Sequence, residues 1–176
     1  MSMKYVTAKN IPVFALLLSA ALLCGAWFFE YVLHYNPCTM CYWQRDALKV
    51  VFAIAIACLV LMKMSDSRPG LYNARAFAFI LCLAFLGSMA VAFWHAGVEY
   101  GYWEGPQTCA AGAGPSIDYS NMSLEDINKA MNEAEPPACS DSPWPNSPVS
   151  MAGLNGLINL FGALMCFIGA RRGENV

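Results

Sequence analysis

The sequence predicts an all-α integral membrane protein, a four-helix bundle with one long outer loop that carries a short amphipathic helix. Of its 176 residues, 58% are hydrophobic and only 12% are charged, whereas soluble domains carry about 25% charged residues. Four apolar segments each approach the roughly 20 residues that a membrane-crossing helix needs. Lipid cannot satisfy exposed backbone groups, so these segments are expected to be helices. They lie at about 11–33, 47–64, 76–94 and 149–170, within a single domain over residues 1–176.

The first apolar segment also has some features of a signal peptide. Lys4 and Lys9 precede it, and Cys24 follows a short lipobox-like stretch. The apolar run nevertheless continues to Leu33, which is too long for a signal core of about 7 to 15 residues, and Leu23 is not the small residue expected before a cleavage site. We therefore expect this segment to be a retained helix.

The distribution of charge predicts the orientation of the bundle. The cations beside the apolar segments fall on one side of a four-span protein: Lys4, Lys9, Lys63, Arg68, Arg75, Arg171 and Arg172. The loop at about 96–148 holds eight acids and one cation, Lys129. Short cytoplasmic flanks are enriched in Lys and Arg, so both termini are expected in the cytoplasm and the loop outside. Arg45 and Lys49 lie at the outer end and conflict with this rule.

A CxxC motif stands at the outer start of the second helix. Asn36 is expected to cap that helix and Pro37 to occupy its first position. Cys38 and Cys41 then fall in the first two turns, where the helix dipole favours a thiolate. Arg45 lies four residues beyond Cys41 and on the same face. A cation directed at the dithiol would explain why Arg45 is present on this side.

A second pair of cysteines, Cys109 and Cys139, lies in the outer loop among many Gly and Pro residues. Two dithiols on one side of a membrane favour thiol–disulfide exchange, which requires a thiolate, a disulfide within reach and a sink for two electrons. A simple staple is the alternative, and it would stabilise the loop by roughly 3 to 4 kcal/mol. A four-cysteine zinc site lacks its usual second close-spaced pair, so no metal is predicted.

Between its Gly-rich start and its Pro-rich end, the loop is expected to form a short helix. Ser123 is placed to cap it, and Leu124, Ile127 and Met131 recur at helical spacing. Such an amphipathic segment would lie on the membrane surface or pack on its own loop. Both positions remain open.

Several polar residues lie near the ends of the predicted spans. His95, which closes the third span, would be an interfacial side chain or a catalytic one. Glu30 and His34 are expected to pair with each other or with water. Asn155 and Asn159 are expected to form hydrogen bonds between helices. The cysteines inside the apolar segments are expected to serve packing: Cys24, Cys58, Cys82 and Cys166.

The electron sink has no motif of its own. The chain contains neither a dinucleotide-binding fingerprint nor a CxxCH haem site. A quinone dissolved in the bilayer needs no further motif, and Arg45 would stabilise negative charge on its oxygen.

Taken together, these motifs resemble the DsbB family of disulfide-forming membrane proteins along nearly the whole chain. The resemblance is carried by the following residues: Pro37 and the Cys38–Cys41 motif, Gln44 and Arg45, His95 within the stretch from Trp94 to Glu99, Cys109, Cys139 and Trp144. It implies an oxidase of the bacterial inner membrane that uses ubiquinone or menaquinone and reoxidises a periplasmic DsbA-type thioredoxin-fold protein. A monomer that does not bind nucleic acid is expected.

The resemblance also implies roles for single residues. Cys109 would form the mixed disulfide with the partner, Cys139 would exchange with Cys38, and Cys41 would be the thiolate that faces the quinone. Arg45 matches the quinone-contacting arginine of the family, and His95 matches a position near the quinone. Some members carry an acid where Gln44 stands, so the role of that acid cannot be transferred to this chain.

Two alternatives remain at this stage. A vitamin K epoxide reductase-like enzyme would share the bundle, but its quinone-facing CxxC is expected in the last span, where this chain has only Cys166. A structural protein of tetraspanin type would have an outer loop held by disulfides. Thiol reactivity separates the second alternative, because a staple resists mild reductant and a catalytic pair exchanges readily.

Overall fold

The computed structural model describes residues 7–65, 73–106, 109, 138–140 and 150–172. These residues form four helices and, within the described ranges, no strand: α1 Ile11–Tyr31, α2 Thr39–Ser65, α3 Ala74–Glu99 and α4 Met151–Arg172. All four are long and apolar enough to cross a membrane. The predicted all-α, four-helix membrane fold is confirmed. The predicted loop helix, with Ser123, Leu124, Ile127 and Met131, lies outside the described residues, as does Trp144.

One end of the bundle is built by the last turns of α1 and α3 and the first turns of α2 and α4; we call it the cysteine end. There α2 begins at Thr39, close to the helix start predicted at Pro37 and ahead of the apolar span from about position 47, and α3 continues to Glu99, past the predicted span end at position 94. Hydropathy detects only the part of a helix that lies in lipid, so both helices extend beyond their apolar spans. The 27 residues of α2 span about 40 Å at 1.5 Å per residue. A hydrocarbon core is about 30 Å thick, which leaves α2 turns outside it.

Small residues allow α3 and α4 to approach closely. A Cβ atom at Gly156 would lie 3.1 Å from the ring of Phe93, and one at Gly162 would lie 2.9 Å from the ring of Phe85. Such small residues at helix interfaces let packing hold a bundle together in lipid, where the hydrophobic effect gives no force between helices. The close packing keeps α4 in a fixed register against α3.

The middle of the bundle is an apolar core. Its buried members include Ile11, Val51, Leu81, Phe85 and Cys166. Cys58 and Cys82 also belong to this core, which confirms that these three cysteines serve packing. Cys24 differs, because it is exposed on the outside of the bundle; its predicted packing role is wrong, since that position of α1 faces away from the core.

Candidate redox site

The CxxC motif lies at the N-terminus of α2, with Cys38 as the capping residue. The carbonyl of Cys38 accepts the amide of Tyr42 at 3.3 Å, and its Sγ accepts the amide of Cys41 at 3.3 Å. A side-chain acceptor three residues before an unpaired amide is the usual arrangement of an N-cap. The prediction that Asn36 caps the helix and Pro37 begins it is therefore wrong. The sulfur of Cys38 takes that place.

Cys38 and Cys41 form a hydrogen-bonded dithiol. Their Sγ atoms are 3.0 Å apart, and Cys38 is only 5% exposed. The hydrogen bond from the Cys41 thiol lowers the pKa of Cys38 to about 4, against the opposing effect of burial and with further help from His95. Cys38 is therefore the thiolate at neutral pH and Cys41 bears the proton. In this reduced state the expectation that Cys41 is the thiolate is wrong, because the Cys41 amide and His95 direct their hydrogen bonds at the Cys38 sulfur.

The donor atoms of Cys38, Cys41 and His95 lie within 4.8 Å of one another, which raises the question of a metal. Two thiolates on a tetrahedral zinc ion, with Zn–S bonds of about 2.3 Å, would stand about 3.8 Å apart. The observed separation of 3.0 Å is too short for two thiolates on one zinc ion. A zinc site built from four cysteines is also excluded in this state, because Cys109 and Cys139 are joined to each other.

The Cys109–Cys139 disulfide packs directly on the dithiol. The two cysteines are 7% and 1% exposed, and they share one buried cluster with Cys38, Met40 and Val98, against which Cys41 also packs. The sequence left the pairing of these four cysteines open. In this structure the loop pair is bonded and the CxxC pair is free, and both lie at the cysteine end.

Glycine lets the loop come this close to α3. A Cβ atom at Gly105 would lie 3.1 Å from Val98 Cγ1 and 3.2 Å from Cys109 Cβ. The main chain of Cys139 is also a hydrogen-bond partner of the His95 ring. The loop disulfide is therefore seated beside the residues that surround the Cys38 thiolate.

His95 is buried between the helices, with 2% exposure. Its Nε2 lies 3.4 Å from the Cys38 sulfur, and its Nδ1 contacts the Gln44 amide. The sequence left open whether His95 is an interfacial or a catalytic side chain. The interfacial reading, with the imidazole in contact with water, is wrong. The helical packing of α3 against α2 carries the ring into the site.

A chain of side-chain hydrogen bonds leads from α4 to the thiolate and fixes the state of the imidazole. Asn159 Nδ2 donates to the carbonyl of Asn155 at 2.8 Å and to its Oδ1 at 2.9 Å. Asn155 Nδ2 then donates to Gln44 Oε1 at 2.6 Å. Gln44 is thereby left with its NH₂ group toward His95 Nδ1. Nδ1 must accept, so Nε2 carries the proton and donates to Cys38.

This chain has a fixed direction because a backbone carbonyl only accepts. The carbonyl of Asn155 requires an NH₂ group from Asn159, and each later amide orientation follows from that one. The predicted hydrogen bonding of Asn155 between helices is confirmed. Asn159 instead donates to Asn155 within α4, so it orients Asn155 and does not bond to another helix as predicted.

Arg45 lies on the same side of α2 and pairs with Glu30 of α1. It also donates to the carbonyl of Ala26 at 3.2 Å and lies 5.4 Å from the ring centre of Tyr42. The expectation that Glu30 pairs with His34 or with water is therefore wrong. A guanidinium that is 10% exposed needs a carboxylate beside it, and only Glu30 lies within salt-bridge distance among the described residues. The ion pair also accounts for a cation at this end of the protein.

Glu99 is a residue of the site that sequence reasoning missed, since it was counted among the acids of the outer loop. It is the last residue of α3, and its side chain is only 4% exposed. Its Oε1 lies 3.9 Å from His95 Nε2. Its Oε2 has no hydrogen-bond partner among the residues that the structure describes. The spacing of four between His95 and Glu99 near a helix end was the signal that could have revealed it.

A cavity of about 530 Å³ opens beside these groups. Its polar wall contains the residues just described: Cys38, Cys41, Gln44, Arg45, His95, Glu99 and Asn155. Its apolar wall comes mainly from α1 and α4, with Leu22, Phe29 and Ile158 among its members. Cavities of this size, mainly apolar with a few placed polar groups, are typical of small-molecule sites.

The fold and the site define a multi-pass membrane protein equipped for thiol–disulfide exchange. The sequence profile of the family described as "Disulfide bond formation protein DsbB" matches residues 8–169. The chain belongs to the DsbB family, whose members are membrane thiol–disulfide oxidoreductases. No significant match was found among curated proteins or among solved structures.

Proposed function

We propose that this protein is a protein dithiol:quinone oxidoreductase. It reoxidises a soluble periplasmic thioredoxin-fold oxidant of the DsbA type and passes the electrons to a membrane quinone. The main observation in support is that the Cys38 thiolate packs in one cluster with the loop disulfide and borders an apolar cavity. A disulfide that only stapled a loop would need neither neighbour.

The exchange begins at the loop. A thiolate of the reduced partner attacks Cys109, the S–S bond breaks, and Cys139 leaves as a thiolate. The second partner thiol then displaces Cys109, so the partner becomes a disulfide and the loop pair a dithiol. Cys139 next attacks Cys38 of an oxidised CxxC pair, and Cys109 closes the loop disulfide again. Two electrons have then moved to Cys38 and Cys41, which is the pairing seen in this structure.

The residues around the cavity fit a quinone as the final acceptor. The ring would lie between the apolar wall and the polar group formed by Cys41, Arg45 and His95, all of which border the cavity. When bound, a quinone accepts two electrons and two protons. Arg45 holds positive charge at the place where negative charge develops, and the surrounding helices exclude water from the thiolate. Ubiquinone and menaquinone both suit this site.

The charge bias of the chain favours a periplasmic cysteine end and cytoplasmic termini. A disulfide such as Cys109–Cys139 persists in that oxidising compartment. Strong oxidants of the DsbA type have a potential of about −120 mV, so their reoxidation requires a sink of higher potential, which a quinone provides.

The decisive experiment combines the purified protein, a reduced DsbA-type protein and a soluble ubiquinone or menaquinone. We expect oxidation of the partner only when quinone is present, and no turnover for Cys41→Ser. Cys58→Ser is the matched control, because Cys58 is a buried core cysteine away from the site. Wild-type turnover by Cys41→Ser, or partner oxidation that does not depend on quinone, would contradict the proposal.

A further inference from the structure

Reduction of the CxxC pair adds a negative charge to the site unless a second proton enters with the two electrons. Reduction of a Cys38–Cys41 disulfide by two electrons gives one thiolate and one thiol, because the pKa of Cys38 is lowered to about 4. Only one proton is taken up, on Cys41, and the buried site gains one negative charge. Adding an uncompensated charge to a buried site is costly. A second proton is therefore expected to enter with the electrons.

His95 is the obvious acceptor, but the hydrogen-bond chain prevents it from serving. Its Nε2 already carries a proton directed at Cys38, and its Nδ1 accepts from the Gln44 NH₂ group. Protonation of Nδ1 would place two donors against each other. Gln44 cannot turn around to relieve this, because its oxygen is held by Asn155. The Gln44 NH₂ group therefore opposes a second proton on the imidazole, whose Nε2 already donates to Cys38.

Glu99 is the group that remains. Its side chain is 4% exposed, and Oε1 lies 3.9 Å from the Nε2 atom that faces the thiolate. Its Oε2 has no hydrogen-bond partner in the described ranges, so that oxygen is available for a proton. The next residue, Tyr100, is 47% exposed, so Glu99 lies at the edge of the buried site.

We propose that Glu99 is the proton acceptor of the redox dithiol, gaining a proton when Cys38 and Cys41 are reduced and losing it when they are oxidised. The oxidised site holds the Cys38–Cys41 disulfide and a Glu99 carboxylate. Two electrons and two protons convert it to a Cys38 thiolate, a Cys41 thiol and a Glu99 carboxylic acid, with no change in net charge. Oxidation releases both protons with the electron pair, in the ratio that a quinone requires.

The charged and titratable groups around Glu99 come from every element at the cysteine end. They are His95 on α3, Cys38 and Cys41 at the start of α2, Arg45 further along α2, and His34 after α1 on the cavity wall. Arg45 is paired with Glu30 of α1. Ser150, just before α4, is a hydrogen-bond partner of the Glu99 carboxyl group, which leaves Oε2 as the oxygen without a partner among the described residues. The proposal rests on the proposed redox role of Cys38 and Cys41, but not on the identity of their acceptor.

The test counts protons in the quinone-free, full-length protein. The protein is equilibrated with reduced and oxidised glutathione between pH 5.5 and pH 7.5, and the state of Cys38 and Cys41 is read by alkylation and mass spectrometry. Glutathione disulfide takes up two protons on reduction in this range. A site that also takes up two therefore gives an exchange constant independent of pH. A site that takes up one gives a constant for its reduction that rises about tenfold per pH unit.

We expect a flat profile for the wild type and a tenfold slope for Glu99→Gln. Glu99→Asp keeps a carboxyl group and should stay flat, and Glu104→Gln is the control because Glu104 is an exposed acid nearby. A flat profile for Glu99→Gln, a sloped wild type, or equal slopes for the Gln and Asp variants would each overturn the inference. Failure of the wild-type pair to exchange with glutathione at all would overturn the proposed function with it.

Discussion

Cys38 and Cys166 are buried to nearly the same extent, with 5% and 0% exposure, yet their surroundings differ completely. Cys166 lies among Phe85, Leu81 and other apolar residues of the core, where it acts as a small hydrophobic side chain. Cys38 lies at the cysteine end and has a thiol, a backbone amide and an imidazole directed at its sulfur. Burial alone does not make a cysteine reactive; the donors around it do.

The largest expected effect separates these two positions. Cys38→Ser should reduce partner oxidation below detection, because the nucleophile that couples the loop to the CxxC pair is lost. Cys166→Ala should keep the wild-type rate and lower the free energy of unfolding by about 1 kcal/mol, since it removes one buried sulfur. Steady-state kinetics and thermal unfolding measure the two effects. Loss of turnover in Cys166→Ala would contradict the division into site and core.

A smaller effect is expected from the cavity wall. Arg45→Met should raise KM for quinone by roughly tenfold or more, since it removes the cation that faces the acceptor. Exchange between the loop disulfide and the partner should keep its rate, because Arg45 contacts Glu30 and Ala26 rather than the loop.

Lys49→Met is the matched control for Arg45→Met. Lys49 is an exposed cation of α2 that pairs with Asp46, so its loss should leave KM unchanged. Equal effects of both substitutions would show that only the overall charge of this end matters. Arg45 would then have no specific place in the site.

The smallest effect concerns the core alone. Gly162→Ala should destabilise the protein by about 1 to 3 kcal/mol, because the new Cβ would meet the Phe85 ring at 2.9 Å. Gly87→Ala should be neutral within about 1 kcal/mol, since nothing lies within 4 Å of its Cβ position. Unfolding in detergent or lipid measures both. A greater loss of unfolding free energy for Gly87→Ala than for Gly162→Ala would show that the packing of α3 against α4 is not the main constraint on these glycines.

Local patterns predicted much of this protein. Apolar runs located the four helices, and the CxxC spacing together with Arg45 identified the face that borders the cavity. The same local rules failed at the start of α2. They favour Asn36 as the cap. They carry no information about the Cys38 sulfur, whose thiolate form is stabilised in part by His95, 57 residues away.

The parts that could not be predicted depend on contacts between distant helices. Asn155 and Gln44 are separated by 111 positions, and their hydrogen bond depends on the register of α4 against α2. Glu99 is buried beside His95 and Ser150, and the proximity of Ser150 depends on where the start of α4 lies against the end of α3. Its acidic neighbours in the sequence, such as Glu104, are exposed, so composition suggested the wrong environment.

The most direct test of the account is the titration of Cys38 in the reduced, quinone-free protein, followed by the ultraviolet absorbance of the thiolate. A midpoint near pH 4 is expected for the wild type and a higher midpoint for His95→Ala. The folded-state pKa lies below the ordinary thiol value of about 8.5. The stability contributed by the thiolate is therefore fully present above that value and is lost as the pH falls through about 4. A midpoint near 8.5 for the wild type, as for an ordinary thiol, would contradict it.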